Sequence, residues 1–258
     1  MTGSPVVVAA DVGNSSVNLA TLIDGTIQSC SVAIDQQGDW TSQAIARVET
    51  WLRTGEPIWR VASVHPEASD ELAEVVTRRW DSSNLQHLSY RDVPMKACVD
   101  APERLGIDRL LSAYGARQVA DTPLVVIDAG TAITVDWVDA SGDFRGGAIL
   151  PGLSMQLRSL ASGTAALPEI HWQTTEIERP GPNTERAMIT GVVAGVAGGI
   201  DRLIRVYCDS AGLPIGGVRV VLTGGDGAAI SPHLSHNHEQ HRNLVCRAVL
   251  DLPRSEVP

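Results

Sequence analysis

The distribution of apolar residues along the chain predicts two successive series of strands and helices. In the first series, short β-branched runs are typical of buried strands, and apolar residues at helical spacing follow them. We predict strands at Val6–Ala10, Val17–Leu22, Thr26–Ile34 and Ile58–Val64, and helices at Thr41–Arg53, Ser69–Trp80 and Gly106–Ala120. This order of elements indicates an α/β unit.

A second series begins at Leu124. We predict strands at Leu124–Ile127, Thr131–Val138, Arg145–Leu150 and Arg219–Leu222, and helices at Leu153–Leu160 and Thr184–Tyr207. We therefore divide the chain into an N-terminal lobe, residues 1–118, and a C-terminal lobe, residues 119–258. No linker rich in Pro, Gly or Ser separates the lobes, so we expect them to pack together. A ligand cleft is expected between them, at the carboxyl ends of the strands.

Two of the predicted strands end in the same short motif. The first strand leads into Asp11-Val12-Gly13, and the strand that begins at Leu124 leads into Asp128-Ala129-Gly130. Aspartate supplies hard oxygen ligands for Mg²⁺ or a monovalent cation, and glycine lets backbone N–H groups approach a phosphate closely. Side chains nearby that can donate hydrogen bonds to phosphate oxygens are those of Asn14, Ser15, Ser16, Thr131 and Thr134. The repeat favours a nucleotide site, although each copy alone is also compatible with an ordinary hairpin turn.

A third glycine-rich segment follows the last predicted strand. It reads Gly224-Gly225-Asp226-Gly227. Because glycine has no side chain, a base or ribose can lie flat against such a backbone. A plain turn is the alternative.

Composition and charge restrict the possible functions. The 258 residues are 43% hydrophobic and 19% charged, which is typical of globular proteins. The formal net charge of −10 argues against nucleic acid as a partner, whereas ATP can bind through backbone N–H groups and cations. No apolar run reaches the roughly 18 residues of a membrane span, and the four scattered cysteines form no disulfide or zinc pattern. We expect a cytoplasmic protein without a nucleic-acid or membrane partner.

Taken in order, these motifs resemble those of the type III pantothenate kinases, which belong to the actin, hexokinase and acetate-kinase superfamily. The segments that carry the resemblance are Asp11-Val12-Gly13-Asn14-Ser15, Gly106-Ile107-Asp108-Arg109, Asp128-Ala129-Gly130-Thr131-Ala132-Ile133-Thr134, Gly146-Gly147-Ala148-Ile149-Leu150-Pro151-Gly152-Leu153, Thr164-Ala165-Ala166-Leu167-Pro168, Asn183-Thr184 with Gly191, and Thr223-Gly224-Gly225-Asp226. Each motif is unspecific, but their shared order argues against chance agreement. The resemblance implies an α/β fold of two related actin/ribonuclease-H-like lobes with an interlobe ATP cleft.

The resemblance also implies a reaction and its residues. The reaction is ATP-dependent phosphorylation of pantothenate, the first step of coenzyme A biosynthesis, catalysed by a homodimer. Asp108 would be the general base toward the primary hydroxyl, Asp11 would organise Mg²⁺, and Asp128 would bind K⁺ or NH₄⁺. The implied pantothenate contacts are Gly106, Ile107, Asp108, Arg109, Thr184 and Val99. The implied ATP contacts are Asp11, Val12, Gly13, Asn14, Ser15, Ser16, Val17, Asn18, Gly130, Thr131, Thr134, Gly224 and Gly225.

Several of these residues have simpler structural interpretations. Asp108 could cap a helix, with Arg109 a solvated charge, and Thr184 could be at or near the N-cap of the next helix. Val99 departs from the family, since many members have a tyrosine at this position, three residues ahead of a proline that is Pro102 here. Four histidines could bind a metal, but a polar loop is the favoured interpretation of His233, His236, His238 and His241.

Two other functions remain compatible with the residues. One is a nucleotide-binding regulator of the same family that lacks catalysis, and the other is a different phosphotransferase of the superfamily. The small residues of the segment Gly191–Gly199 fit either a subunit contact or packing within the lobe.

Overall fold

The protein is a mixed α/β molecule with two five-stranded sheets, which confirms the predicted fold class. The computed structural model describes residues 6–35, 38–52, 55–172, 177 and 180–253. The chain divides into two compact units. The first comprises Met1–Met95, Asp100–Gly115 and Asn243–Pro258, and the second comprises Lys96–Val99 and Ala116–Arg242.

Ten strands and seven α-helices are present in the described residues. The strands are β1 Val7–Val12, β2 Ser16–Ile23, β3 Thr26–Ala33, β4 Ile58–Ser63, β5 Leu85–His87, β6 Leu124–Ala129, β7 Ala132–Val138, β8 Phe144–Pro151, β9 Arg219–Thr223 and β10 Glu239–Gln240. The helices are α1 Trp40–Glu49, α2 Pro66–Arg79, α3 Ile107–Arg117, α4 Leu153–Ser162, α5 Thr184–Ser210, α6 Gly227–Ile230 and α7 Leu244–Asp251.

The two sheets share one topology. In the first, the order is β3-β2-β1-β4-β5, with β1, β2 and β3 antiparallel and with β4 and β5 parallel to β1. In the second, the order is β8-β7-β6-β9-β10, with β6, β7 and β8 antiparallel and with β9 and β10 parallel to β6. Each sheet therefore sets the carboxyl end of a central strand, β1 or β6, beside that of a parallel neighbour. Ligands bind at such positions in open α/β sheets.

The core of the first unit is built from β1, β2, β4, α1 and α2, and Trp59 at its centre is fully buried. Helix α7 packs against β1 and β2 of the same unit. Its end is held by Arg60 of β4, which is 4% exposed. The Arg60 guanidinium donates hydrogen bonds to the carbonyl oxygens of Leu252, at 2.8 Å, and Pro253, at 3.0 Å. The guanidinium also donates to the carbonyl oxygen of Val249 at 3.3 Å, which is one of the carbonyls that the end of a helix leaves unpaired.

Helix α5 is the central element of the second unit. Nine of its residues are buried, mostly in a cluster with β6, β7, β9 and α4. Its length and composition would allow it to cross a membrane, but a core helix passes the same test, so this is weak evidence for a span. The face opposite the core is exposed and made of small residues. It consists of Ala187, Gly191, Ala194, Gly195 and Gly198.

The predicted elements are all found, with shifted ends. Helix α2 begins earlier than predicted, at Pro66, because proline is well suited to the first helical turn and His65 accepts a hydrogen bond from the N–H of Ala68. Helix α1 ends at Glu49, and Arg53, the last residue of its predicted range, lies outside the described residues. Strands β5 and β10 and helices α6 and α7 were not predicted.

Candidate active site

The first Asp-x-Gly motif forms the turn of a β-hairpin. Asp11 and Asn18 lie opposite each other on β1 and β2, and the Asn18 amide donates a hydrogen bond to the Asp11 carboxylate at 3.2 Å. The N–H of Gly13 donates to the carbonyl oxygen of Ser16 at 3.0 Å and closes the turn. The ordinary-hairpin interpretation is thus correct for the backbone. It leaves open what the side chains bind.

The polar residues of this turn are accessible. Asn14 and Ser15 are exposed, Ser16 is half-buried, and Val12 and Val17 are buried on either side of them. The turn is also tied to its surroundings, because the N–H of Ile34 donates to the carbonyl oxygen of Ser15 at 2.9 Å. The first unit therefore presents hydroxyl, amide and carboxylate groups at the carboxyl end of β1.

The second Asp-x-Gly motif forms an equivalent turn between β6 and β7. Asp128 lies opposite Thr134, and the N–H of Gly130 donates to the carbonyl oxygen of Ala132 at 3.1 Å. Gly152 is packed directly against this turn. Its N–H donates to the carbonyl oxygen of Thr131 at 3.0 Å, and a Cβ on it would lie closer than 3.0 Å to the backbone of Thr131. Only glycine fits at residue 152 without moving the turn.

The third glycine segment lies against the same turn. Gly224 has φ +91°, and a Cβ on it would overlap the backbone of Ala129. The N–H of Asp226 donates to the carbonyl oxygen of Ala129 at 2.9 Å. Burial raises the pKa of Asp226 above its ordinary value. The structure thus brings together Gly130 and Thr131 with Gly224, whereas the neighbouring Gly225 is exposed with open space around it.

Strand register aligns three oxygen-bearing side chains at this edge of the second sheet. Asp128 on β6 lies opposite Thr134 on β7 and opposite Thr223 on β9, so the three side chains share one face. The Thr134 hydroxyl is buried and has no hydrogen-bond partner in the described part of the chain. A buried polar group without a partner is costly, and a ligand oxygen or cation would satisfy it. The sequence placed Thr223 only in the third glycine-rich motif, and its position opposite Asp128 follows from the register alone.

The Gly-Ile-Asp-Arg motif opens helix α3. The Asp108 carboxylate accepts a hydrogen bond from the N–H of the next residue, Arg109, at 2.8 Å, and Asp108 lies within the first turn of α3 rather than at its N-cap. Only Oδ1 of Asp108 is used in this way, and Oδ2 makes no hydrogen bond with any residue that the structure describes. Burial raises the pKa of Asp108 above its ordinary value, opposed by the N–H and the guanidinium of Arg109. A half-buried carboxylate of raised basicity with one unused oxygen can accept a proton.

Val99 and Thr184 belong to the second unit, and Gly106–Arg109 to the first. The N-cap of α5 is Asn183, whose side chain accepts a hydrogen bond from the N–H of Arg186 at 2.9 Å. Thr184 is the next residue, and it is exposed. Val99 is half-buried, 3.6 Å from the position that a Cβ on Gly146 would take.

The C-terminal histidines take separate partners. His236 lies 2.7 Å from Asp201, and His238 lies 2.7 Å from the Ser231 hydroxyl. His241 lies 3.6 Å from Glu239. No group of three or more His, Cys, Asp or Glu residues able to hold a metal occurs among the described residues.

Comparison with known proteins gives a consistent result. The sequence profile of the family described as type III pantothenate kinase matches residues 7–206. A type III pantothenate kinase of Rhodopirellula baltica is 35% identical over 273 residues, which cover 95% of this chain and 97% of the relative.

Solved structures share the fold at lower identity. One, described as a conserved putative Baf family transcriptional activator from Campylobacter jejuni, is 20% identical with a TM-score of 0.57, over 93% of this chain and 94% of that one. Another, described as a putative 2-dehydro-3-deoxygalactonokinase from Sinorhizobium meliloti, is 13% identical with a TM-score of 0.53, over 95% and 96%. At these identities the likeness concerns the fold alone.

Proposed function

The chain belongs to the type III pantothenate kinase family, and from this premise we propose that it phosphorylates pantothenate with ATP, using Asp108 as the general base. It is an enzyme of the kinase class, and its family membership supports a place at the entry to coenzyme A biosynthesis. The observation that carries the proposal is the Asp108 carboxylate, placed at the start of α3 in the motif that resembles the family's substrate motif. A cytoplasmic location is part of the proposal.

Asp108 has the properties that a proton acceptor needs. Transfer of a phosphoryl group to an alcohol requires a base near the hydroxyl, and a base works best when its pKa approaches the working pH. Burial moves the pKa of Asp108 in this direction. The N–H of Arg109 fixes the carboxylate through Oδ1 and leaves Oδ2 for the pantothenate hydroxyl.

The glycine contacts support nucleotide binding by the second unit. Gly152 and Gly224 both pack without side chains against the turn that follows Asp128, so these two glycines hold the turn in place. We assign Gly130, Thr131 and Thr134 to the phosphates, and Gly224 and Gly225 to adenosine. The partnerless Thr134 hydroxyl supports the phosphate assignment, since a phosphate oxygen would satisfy it.

The first hairpin suits the metal-bound side of the phosphates. Asp11 offers a carboxylate that Asn18 orients, and Asn14 and Ser15 offer accessible donors. We assign Asp11 to Mg²⁺, and residues 12–18 to ATP through side chains and backbone N–H groups. Asp128, flanked by two threonines, is assigned to K⁺ or NH₄⁺, because carboxylate and hydroxyl oxygens are hard ligands. When bound, such cations neutralise charge on the phosphates.

The pantothenate contacts extend from the same motif. Gly106 keeps space beside Asp108, since a Cβ on it would lie 2.6 Å from Oδ1 of that carboxylate. Arg109 supplies donors for a carboxylate, the charged group of pantothenate. Ile107, Thr184 and Val99 complete the assignment. Val99 is smaller and less polar than the usual tyrosine, so we expect altered packing of pantothenate and unchanged phosphate chemistry.

The test is product formation by purified protein. With ATP, Mg²⁺ and K⁺ or NH₄⁺, we expect 4′-phosphopantothenate, detected by mass spectrometry, and no comparable product from glycerol, acetate or hexoses. A family member of known activity serves as the positive control. Absence of the product where that control works would contradict the proposal, as would binding of a promoter fragment without turnover.

The exposed face of α5 supports a homodimer. Ala187, Gly191, Ala194 and Gly198 lie along one side of the helix, and no described atom lies within 4 Å of a Cβ placed on Gly191 or Gly198. Small residues allow close approach of another helix, and packing within the unit does not use this face. We expect Ala194→Glu to give monomers in sedimentation analysis, and Asp70→Lys, on the exposed face of α2, to leave dimers intact. A monomeric native protein would refute this part.

A further inference from the structure

A cavity of about 370 Å³ lies in the second unit. Its lining includes Trp137, Asp139, Arg145, Gly146, Gly147 and Tyr207. The turn after Asp128 leads into the start of β7, whereas the cavity lies near the other end of this strand, at Trp137. Thr131 and Trp137 are six residues apart, which is about 20 Å along a strand.

Two aromatic rings form one wall of this cavity. The ring centroids of Trp137 and Tyr207 are 6.3 Å apart and the rings are inclined by 54°. The Tyr207 hydroxyl donates a hydrogen bond to the carbonyl oxygen of Val135 at 3.0 Å, which fixes the ring over β7. Both side chains are half-buried, so they expose fixed aromatic surface to the cavity. A flat apolar ring can displace water from such a wall.

The floor of the cavity has no side chains. Gly146 has φ +89°, and a Cβ on Gly147 would overlap the backbone of Val135 and Asp136. Both positions therefore require glycine for reasons of backbone geometry. The consequence is a flat backbone surface beside the aromatic wall, on the edge strand of the sheet.

Hydrogen bonding decides the charge of a suitable ligand. The Asp139 carboxylate already accepts three bonds, from the N–H groups of Ser141 at 2.9 Å and Asp143 at 3.0 Å and from Nε of Arg145 at 2.5 Å. Burial would raise the pKa of Asp139, but these hydrogen bonds outweigh burial and lower it, so the carboxylate stays charged with its hydrogen bonds made. It holds Arg145 in place and has little capacity left for a cationic ligand.

Arg145 keeps unused donors. Its Nη2 lies 3.8 Å from the Asp143 carboxylate, beyond hydrogen-bond distance. In the part of the chain that the structure describes, neither Nη atom makes a hydrogen bond. The Arg145 side chain is 43% exposed, and Arg145 lines the cavity. Oriented guanidinium donors are suited to a carboxylate, sulfonate or phosphate group.

We propose that this cavity is a binding site for a flat aromatic ligand that carries one anionic group. The ring stacks against Trp137 and Tyr207 above the Gly146–Gly147 backbone, and the anion accepts hydrogen bonds from the Nη atoms of Arg145. The volume fits a ligand of one or two rings. None of the residues that hold this ligand is itself assigned to ATP or pantothenate, although Val99, which is assigned to pantothenate, lies 3.6 Å from the position of a Cβ on Gly146.

The probe is 2-naphthoate, titrated into the full-length protein and followed by ligand-observed NMR. The matched cation is trimethyl(2-naphthyl)ammonium, which has the same ring system. We expect 2-naphthoate to bind with a Kd below about 10 mM, and we expect the cation to bind at least about tenfold more weakly.

Variants separate the two parts of the site. Arg145→Gln removes the charge from an exposed side chain and is expected to weaken 2-naphthoate binding about tenfold. Trp137→Phe keeps an apolar ring and is expected to weaken 2-naphthoate binding about threefold. The control is Arg205→Gln on the exposed surface of α5, which should leave the affinity unchanged. Equal affinity of Arg145→Gln and the native protein, equal binding of the cation, or no binding of 2-naphthoate would each overturn the proposal.

Discussion

Gly224 and its neighbour Gly225 offer a matched pair of substitutions in the proposed adenosine segment. Gly224 has φ +91°, and a Cβ on it would overlap the backbone of Ala129 rather than a flexible side chain. Gly225 has open space around it and no positive φ. The structure therefore predicts opposite consequences for the same added methyl group.

The magnitude for Gly224→Ala has two sources. An alanine held at positive φ costs about 1–3 kcal/mol, and displacement of the packed backbone costs about as much again. We expect Gly224→Ala to lower the free energy of unfolding by about 2–6 kcal/mol. Gly225→Ala should change it by less than about 1 kcal/mol, with stabilisation possible because alanine reduces the entropy of the unfolded chain.

Urea unfolding followed by circular dichroism measures the stabilities, and equilibrium dialysis with ATP measures nucleotide affinity. If adenosine lies against this backbone, Gly225→Ala weakens ATP binding while leaving the fold intact. The reasoning is refuted if Gly224→Ala unfolds at the native urea concentration, or if Gly225→Ala destabilises as much as Gly224→Ala.

Three further predictions concern other parts of the molecule. Arg60→Met should lower the free energy of unfolding by about 2–4 kcal/mol, because it leaves buried carbonyl groups at the end of α7 without donors, whereas Arg247→Met on the exposed side of α7 should change it by less than about 0.5 kcal/mol in the same urea assay. Burial would raise the pKa of Asp201, but hydrogen bonds from His236 and Ser235 outweigh burial and lower this pKa, so the ionised carboxylate stabilises the fold above the ordinary carboxyl pKa and this stabilisation is lost as the pH falls through the lowered value. Asp201→Asn should therefore make the melting temperature less dependent on pH in this acidic range, and an unchanged pH dependence would contradict the prediction. Burial and then the charge of Asp11 raise the pKa of the Cys246 thiol, so iodoacetamide followed by mass spectrometry should label Cys246 only after denaturation, and rapid labelling of the native protein would show that α7 opens.

The sequence predicts the long elements well because each carries a repeated apolar pattern. Helix α5 and strands β1 and β6 have enough residues for the period to be recognised, and their glycine motifs mark where the strands end. Strands β5 and β10 have three and two residues, too few for any period. Their existence depends on pairing with a longer strand.

Helix α7 was missed for a different reason. Asn243, at its start, has φ +54° and does not cap the helix with its side chain, which instead donates to the Ser29 hydroxyl at 2.7 Å. The usual signal for a helix start is therefore absent. Assignment of α7 to the first unit depends on tertiary contacts with β1 and β2, which no local pattern encodes. The sequence division at residue 118 places this helix with the C-terminal lobe.

The candidate site shows the same limit. Residue types pointed to Asp128 and the glycine segments, because the chemistry of phosphate binding requires such groups, whereas Asp108 was implied by the family resemblance. Contacts such as those of Gly224 with Ala129, and the alignment of Thr223 with Asp128, come from strand register. Register is a property of the folded sheet, so these contacts needed the structure.

The central claim is that Asp108 takes the proton from the pantothenate hydroxyl. Its most direct test is the turnover of pantothenate by Asp108→Asn, measured beside the affinity for ATP. We expect kcat to fall by about 10²- to 10⁴-fold with ATP affinity unchanged, and we expect the acidic limb of the native pH–rate profile above the ordinary carboxyl range, since burial raises the pKa of Asp108. A variant that retains turnover within about threefold of the native enzyme would contradict the account.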